Sequence, residues 1–145
     1  MQAQAVAKDG SATDLAFKQQ YDKNIKLTKI NGVYIPASLE ECFKRLNKLS
    51  PPSAISQFKA APEVEVCQKL HFGLGRWIMV NWNFYEGSRI SHQLKQKGVL
   101  HPDDMVQFIL RMYHRSLNGL DMEENSLIEE LSKSRKIKTK EALGL

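Results

Sequence analysis

Cysteine is scarce in this chain. Among 145 residues there are only Cys42 and Cys67, with 24 residues between them and no CxxC spacing or Cys/His grouping around them. A zinc site is therefore not expected, and two states remain open for the thiols: one disulfide if the chain is exported, or two buried free thiols. Long apolar runs are also missing. The run Trp77-Ile78-Met79-Val80 stops at Asn81, far short of the roughly 18 residues needed to span a bilayer. Hardly any window alternates with the period of two that marks strands. The opening Met1-Gln2-Ala3-Gln4-Ala5 has neither the basic nor the apolar region of a signal peptide. Its Ala-Gln-Ala does match the small-x-small pattern found before signal cleavage, so export after signal removal and a cytoplasmic location both stay open.

What is present describes one ordinary globular domain: 42% hydrophobic and 26% charged residues. A chain of this size buries roughly two thirds of its unfolded surface and needs neither disulfide nor metal to hold a core. The net charge of +5 would suggest nucleic acid, but it is unevenly placed. Residues 132–145 hold five basic residues and one acidic, which leaves 16 basic against 15 acidic for the rest. The body is thus nearly neutral, and any phosphate contact falls to Lys133, Arg135, Lys136, Lys138 and Lys140, whose placement also suits the dipole at a helix C-terminus. Nucleic acid is not the expected partner.

Helical spacing organises the remainder. Residues 1–32 read as a flexible N-terminal arm carrying at most one short helix, residues 33–131 as a single helical domain, and residues 132–145 as a basic C-terminal helix or tail. Asn31-Gly32 signals a turn, with Val33-Tyr34-Ile35 briefly extended before Pro36. Ser38 to Glu41 has capping-box spacing, and Leu39, Cys42, Phe43, Leu46 and Leu49 form one apolar stripe. Pro51-Pro52 ends that helix, and Ser53 would cap a short turn carrying Ile55 and Phe58. A second long helix from Pro62 would bury Val66, Leu70 and Phe72. Gly73-Leu74-Gly75 places a kink, a break or a close helix crossing in it, and Trp77, Ile78 and Trp82 continue its apolar face. Ser88 starts a helix with Ile90 and Leu94 inward, ended by Gly98. His101-Pro102-Asp103-Asp104 starts the next, and Asp121 to Glu124 has capping-box spacing before Leu127, Ile128 and Leu131. The fold expected is an all-α compact array of about five helices.

Three segments carry a resemblance. They are Tyr34-Ile35-Pro36 with Leu39-Glu40-Glu41-Cys42-Phe43, then His71-Phe72-Gly73-Leu74-Gly75-Arg76-Trp77-Ile78 with Asn81-Trp82 and Gly87-Ser88-Arg89, and finally His101-Pro102-Asp103-Asp104-Met105 with Tyr113-His114-Arg115. In that order they resemble a family of small bacterial domains of unknown function, over Val33 to Gly119. The family pattern carries Arg-Asn where this chain has Met79-Val80, so one basic residue of the most polar segment is absent. The resemblance implies a single bacterial domain, with export signals common among members, and no established activity.

The same segments supply the candidate site: His71, Arg76, Trp77, Asn81, Trp82, Arg89, His101, Asp103, Asp104 and His114, whose polar members include groups able to act as base, acid, anion binder or metal ligand. None fits a nucleophile elbow, a phosphate loop or a metal-ligand spacing, so no catalytic residue, metal or cofactor is assigned. Structural roles compete throughout. His101, Asp103 and Asp104 suit helix capping, and Arg76 and Arg89 would stack on the tryptophans or pair with Asp103 and Asp104 in a buried network. His114 reads as a satisfied structural histidine, with Arg115 solvated and His92 exposed. Trp, Tyr and Arg also dominate interface energetics. The leading expectation is therefore a non-enzymatic protein-binding domain, with toxin neutralisation or immunity as one version. The alternative is a small-ligand binder or enzyme that gathers His71, Arg76, Arg89, His101, Asp103 and His114 around one cleft.

Overall fold

The computed structural model describes residues 11–145, so the Ala-Gln-Ala segment lies outside the described residues. Among the described residues there are eight α-helices, one π-helical turn and one short hairpin. In chain order these are α1 (Ser11–Asn24), β1 (Lys29–Ile30), β2 (Val33–Tyr34), α2 (Leu39–Leu49), α3 (Pro52–Ala60) and α4 (Glu63–Lys69). The π turn (His71–Gly75) follows, then α5 (Arg76–Asn81), α6 (Arg89–Gln96), α7 (Pro102–Leu117) and α8 (Glu124–Ala142). The expected all-helical class holds, but the count of five is too low. Pro51 and Pro62 divide the early region at α3 and α4, the π turn divides the second long helix, and the arm contains a full helix of 14 residues. No helix among the described residues is long and apolar enough to cross a membrane.

The core is organised around α7. Met105, Val106, Phe108, Ile109, Leu110, Met112 and Tyr113 are all buried, so the helix is apolar on nearly every side. It packs against α2, α3, α4, the π turn, α5, α6 and α8. Cys42 and Leu46 of α2, Phe58 of α3, Ile78 of α5, Ile90 and Leu94 of α6, and Leu127 of α8 close the core with Ile35, Trp82 and Phe84. Both thiols are free and buried. Burial, and then the charge of Glu63, pushes the Cys67 thiol up to about 12, which leaves it inert at neutral pH.

The caps explain several boundaries and correct others. Ser38 Oγ accepts from the Glu41 amide at 3.2 Å. The Glu41 carboxylate does not return to Ser38, however: it accepts from the Ala37 amide and the Tyr34 hydroxyl, both at 2.8 Å, and so ties the hairpin to α2. The bond from Ala37, then that from Tyr34, holds this carboxyl below its ordinary value. Ser88 and Ser91 form a reciprocal capping box on α6. Two expected caps are absent: Pro51 precedes α3 in place of Ser53, and α8 begins after Glu123, which is left-handed and makes no side-chain cap bond. Leu49 and Phe72 are exposed, not buried as the apolar stripes suggested.

Two glycines are fixed by contact. At Gly75 a Cβ would lie 2.7 Å from Val106 Cγ1, so the π turn crosses α7 closer than any side chain permits; this is the close crossing that Gly73-Leu74-Gly75 foretold. Gly87 has φ +103°, and a Cβ there would meet the Tyr21 ring at 2.3 Å. The arm helix α1, mostly exposed, is held at this end. Tyr21 Oη lies 2.9 Å from His92 Nδ1, and Asn24 Nδ2 donates to the Glu86 carbonyl. His92, expected to be exposed, is therefore half-buried against Tyr21.

Replacing Gly75 by alanine gains up to about 1 kcal/mol of helix propensity but overpacks against Val106. A net loss of about 1–2 kcal/mol in urea denaturation is expected. Gly73→Ala, where a Cβ meets nothing within 4 Å, should instead stabilise by about 0.5–1 kcal/mol.

Candidate functional site

A groove of about 460 Å³ runs between α4, the π turn, α7 and α8. Its floor is α7, which presents Asp103, Asp104, Gln107 and Arg111 at helical spacing along one face. The π turn contributes His71 and Phe72, and α8 supplies Glu130, Leu131, Ser134, Arg135 and Lys138 from a parallel stripe.

At one end His71 is fixed at both nitrogens. Gln107 Nε2 lies 3.0 Å from the Cys67 carbonyl, which only accepts, and 2.9 Å from His71 Nδ1. The amide nitrogen is thus a donor to both, His71 Nδ1 is an acceptor, and the ring proton sits on Nε2, which donates to Asp103 Oδ1 at 3.1 Å. An imidazole arranged in this way has no spare lone pair for general-base work; it positions its neighbours. Phe72 stands beside it, edge to face at 5.2 Å, with 81% of its surface exposed. Asp104 is taken by Arg135 in a bidentate pair, at 2.7 and 3.0 Å.

At the other end lies the most buried ionic cluster. The Glu63 carboxylate, in the first turn of α4, accepts from Arg111 Nε at 2.7 Å and from Arg115 Nε and Nη2 at 2.9 and 3.0 Å. Arg111 and Arg115 are i,i+4 neighbours on α7, so one carboxylate reaches both. Burial alone would raise the Glu63 carboxyl, but the bonds from Arg115 and Arg111 outweigh it and hold the group below its ordinary 4.5. Arg111 Nη1 also donates to Glu130, and Arg115 Nη1 to the Met122 carbonyl. Arg115, expected to be solvated, is therefore a half-buried tie between α4, α7 and the start of α8.

Of the candidate residues read from the sequence, only His71, Asp103 and Asp104 line this groove. Arg89 donates through Nε and Nη2 to the Ile35 carbonyl and lies over the Tyr34 ring at 5.1 Å. Arg76 is exposed on α5. The expected network joining Arg76 and Arg89 to Asp103 and Asp104 does not form, because both carboxylates are engaged by His71 and Arg135. Trp77 and Trp82 meet edge to face at 6.1 Å, with Trp82 buried, and Asn81 Nδ2 donates to the Trp77 carbonyl of its own helix. His101 is exposed at the start of α7 and lines a neighbouring 230 Å³ cavity that shares Asp104, Leu131 and Arg135 with the groove. His114 is buried on another side of α7, with Nε2 2.8 Å from the Ala61 carbonyl, its ring edge to face with Phe58, and Nδ1 without a partner.

Glu63, Gln107, Arg111, Arg115 and the exposure of Phe72 are what the sequence reading missed. One signal was available: an arginine among Met105, Phe108, Ile109 and Met112, on a helix apolar all round, requires a buried partner. Among the described residues no group of three or more His, Cys, Asp or Glu is placed to hold a metal ion.

The model of a domain of unknown function (DUF6794) matches residues 35–117. That span begins at buried Ile35 and ends with α7, so it includes the floor of the groove but not α8. No curated protein and no solved structure matches the chain.

Glu63→Gln keeps the shape of the side chain and leaves two guanidinium groups facing a neutral amide; a loss of about 3 kcal/mol at neutral pH is expected from chemical denaturation. Because the folded carboxyl lies below 4.5, its contribution is complete above that value and is lost as pH falls through the folded value. Urea midpoints measured from pH 7 to pH 3 should therefore fall less steeply for the variant than for the native chain.

Proposed function

The chain belongs to the family of the domain of unknown function (DUF6794), and on that footing we propose that it is a non-enzymatic protein-binding domain whose contact face is the groove around Phe72. The observation that carries this reading is the state of Phe72: 81% exposed, yet seated on a π turn whose neighbour His71 is held at both ring nitrogens. A large aromatic side chain costs free energy in water unless something covers it. One on a rigid support loses little further entropy when covered, which is the behaviour of an interface anchor. Val64, 45% exposed, and half-buried Leu131 extend the apolar lining of the same groove.

The competing enzyme or ligand-binding reading needs His71, Arg76, Arg89, His101, Asp103 and His114 around one cleft. Only His71 and Asp103 of that set line the groove, and the His71 lone pair is already used by Gln107. A toxin-neutralising or immunity role is one version of protein binding, and its partner would be a toxin encoded beside this chain.

The test is affinity capture from the native host under several growth conditions with the native chain and Phe72→Ala. Recovery of a specific protein that drops by about tenfold or more with the alanine variant is expected, as for a central aromatic anchor. Equal recovery by both, or no specific partner under any condition, counts against the reading.

A further inference from the structure

Resting on the protein-binding reading, we infer that the groove is a carboxylate-recognition site whose anion position is filled by the chain's own Glu130, and that an acidic residue of the partner replaces it. The argument begins at Arg111. Its side chain is only 8% exposed, Nε is committed to Glu63, and Nη1 points to Glu130, whose side chain is 54% exposed. Among the described residues Nη2 makes no hydrogen bond, yet the only buried side-chain nitrogen or oxygen there without a partner is His114 Nδ1. Arg111 Nη2 is therefore not sealed from solvent, and Arg111 is one of the residues that line the groove. A nearly buried guanidinium presenting free donor capacity at the floor of a groove is a preformed anion seat.

The charges around that seat favour an incoming carboxylate. Arg135 and Asp104 cancel as a bidentate pair, and Asp103, bonded to the neutral His71 ring, keeps its charge at the other end of the groove. Glu63 already serves both Arg111 and Arg115. Arg111 and Lys138 remain, with Glu130 opposing them; Lys138 forms no ion pair among the described residues and lies two helical turns along α8 from Glu130. When Glu130 swings out, this end of the groove is positive. Glu130, with a side chain 54% exposed, can turn out into water without unfolding its helix, and Glu63 leaves Arg111 with a counterion when it does. Glu63, 18% exposed and fastened by three bonds, stays and keeps Arg111 aimed. Phe72 and Val64 on the groove lining then set the rest of the preference: an acidic residue beside an aromatic or aliphatic one.

The full-length chain, its arginine side chains labelled with 15N, would be titrated with N-acetyl-Leu-Glu-Phe-amide, with the Leu-Gln-Phe counterpart and with inorganic phosphate. The Glu peptide is expected to shift the Arg111 Nε–H signal saturably and the Gln peptide to bind about tenfold more weakly or less, in line with a charge-assisted against a neutral bond. Glu130→Gln should tighten the Glu peptide by about tenfold, and Lys138→Ala, at an exposed site that cannot threaten the fold, should weaken the Glu peptide selectively. Equal affinity for the two peptides, no tightening in Glu130→Gln, or no shift of Arg111 by either peptide would overturn the inference. Phosphate binding more tightly than the Glu peptide would overturn it too, by reassigning the seat. If the two peptides bind equally but both are lost in Phe72→Ala, the carboxylate inference fails while the protein-binding reading survives.

Discussion

The structure depends on one carboxylate shared by two arginines. Helix α7 is the element against which nearly every other helix packs, and it carries Arg111 and Arg115 into an environment that would otherwise be apolar. Burying those charges without a counterion would cost several kcal/mol each. Glu63 supplies the counterion from the first turn of α4, 48 residues before Arg111 in sequence, and its position is also favoured by the positive end of its own helix. The same carboxylate thereby sets how α4 lies on α7, and so where the π turn that follows α4 must cross.

That crossing links the ionic cluster to the surface. Gly75 brings the backbone against Val106, and Gln107, one residue further along α7, reaches both the Cys67 carbonyl and His71. Charge pairing at one end of the groove and an amide bridge at the other fix the two helices that flank it, and Phe72 stands out from the part so fixed. α8 contributes through Arg135 on Asp104, Glu130 on Arg111 and the buried Leu127. Beyond Arg135 every residue of α8 is exposed, and residues 132–145, with five basic residues and one acidic, hold most of the chain's net charge of +5.

The helical class, the cap at Ser38, the helix start at Ser88 and the start of α7 at Pro102 were legible because each rests on interactions within a few residues, and the close approach at Gly75 because two glycines in a helical run are costly without one. The helix count failed where local signals were ambiguous: proline both ends and begins helices, and α1 carries no apolar stripe to announce it. The ion pairs were not legible. Arg89, placed in sequence among Trp and Ser, turned to a backbone carbonyl 54 residues away, while Asp103 and Asp104, adjacent in sequence, took different partners 100° apart around the helix. Spacing rules describe which side chains share a face of one helix; they do not say which face of another helix comes opposite. Arg115 illustrates the point, since its neighbours Tyr113 and His114 suggested a helix edge and only the arrival of α4 made that edge an interior.

The π turn works as a phase shifter. Five residues are used where an α-helical turn would take fewer, so the chain after Gly75 is rotated by about one residue, roughly 100°, relative to an uninterrupted helix. Phe72 faces water while Ile78 is fully buried within two turns of it. Apolar character in this segment thus serves two surfaces at once, one turned to the core and one turned outward.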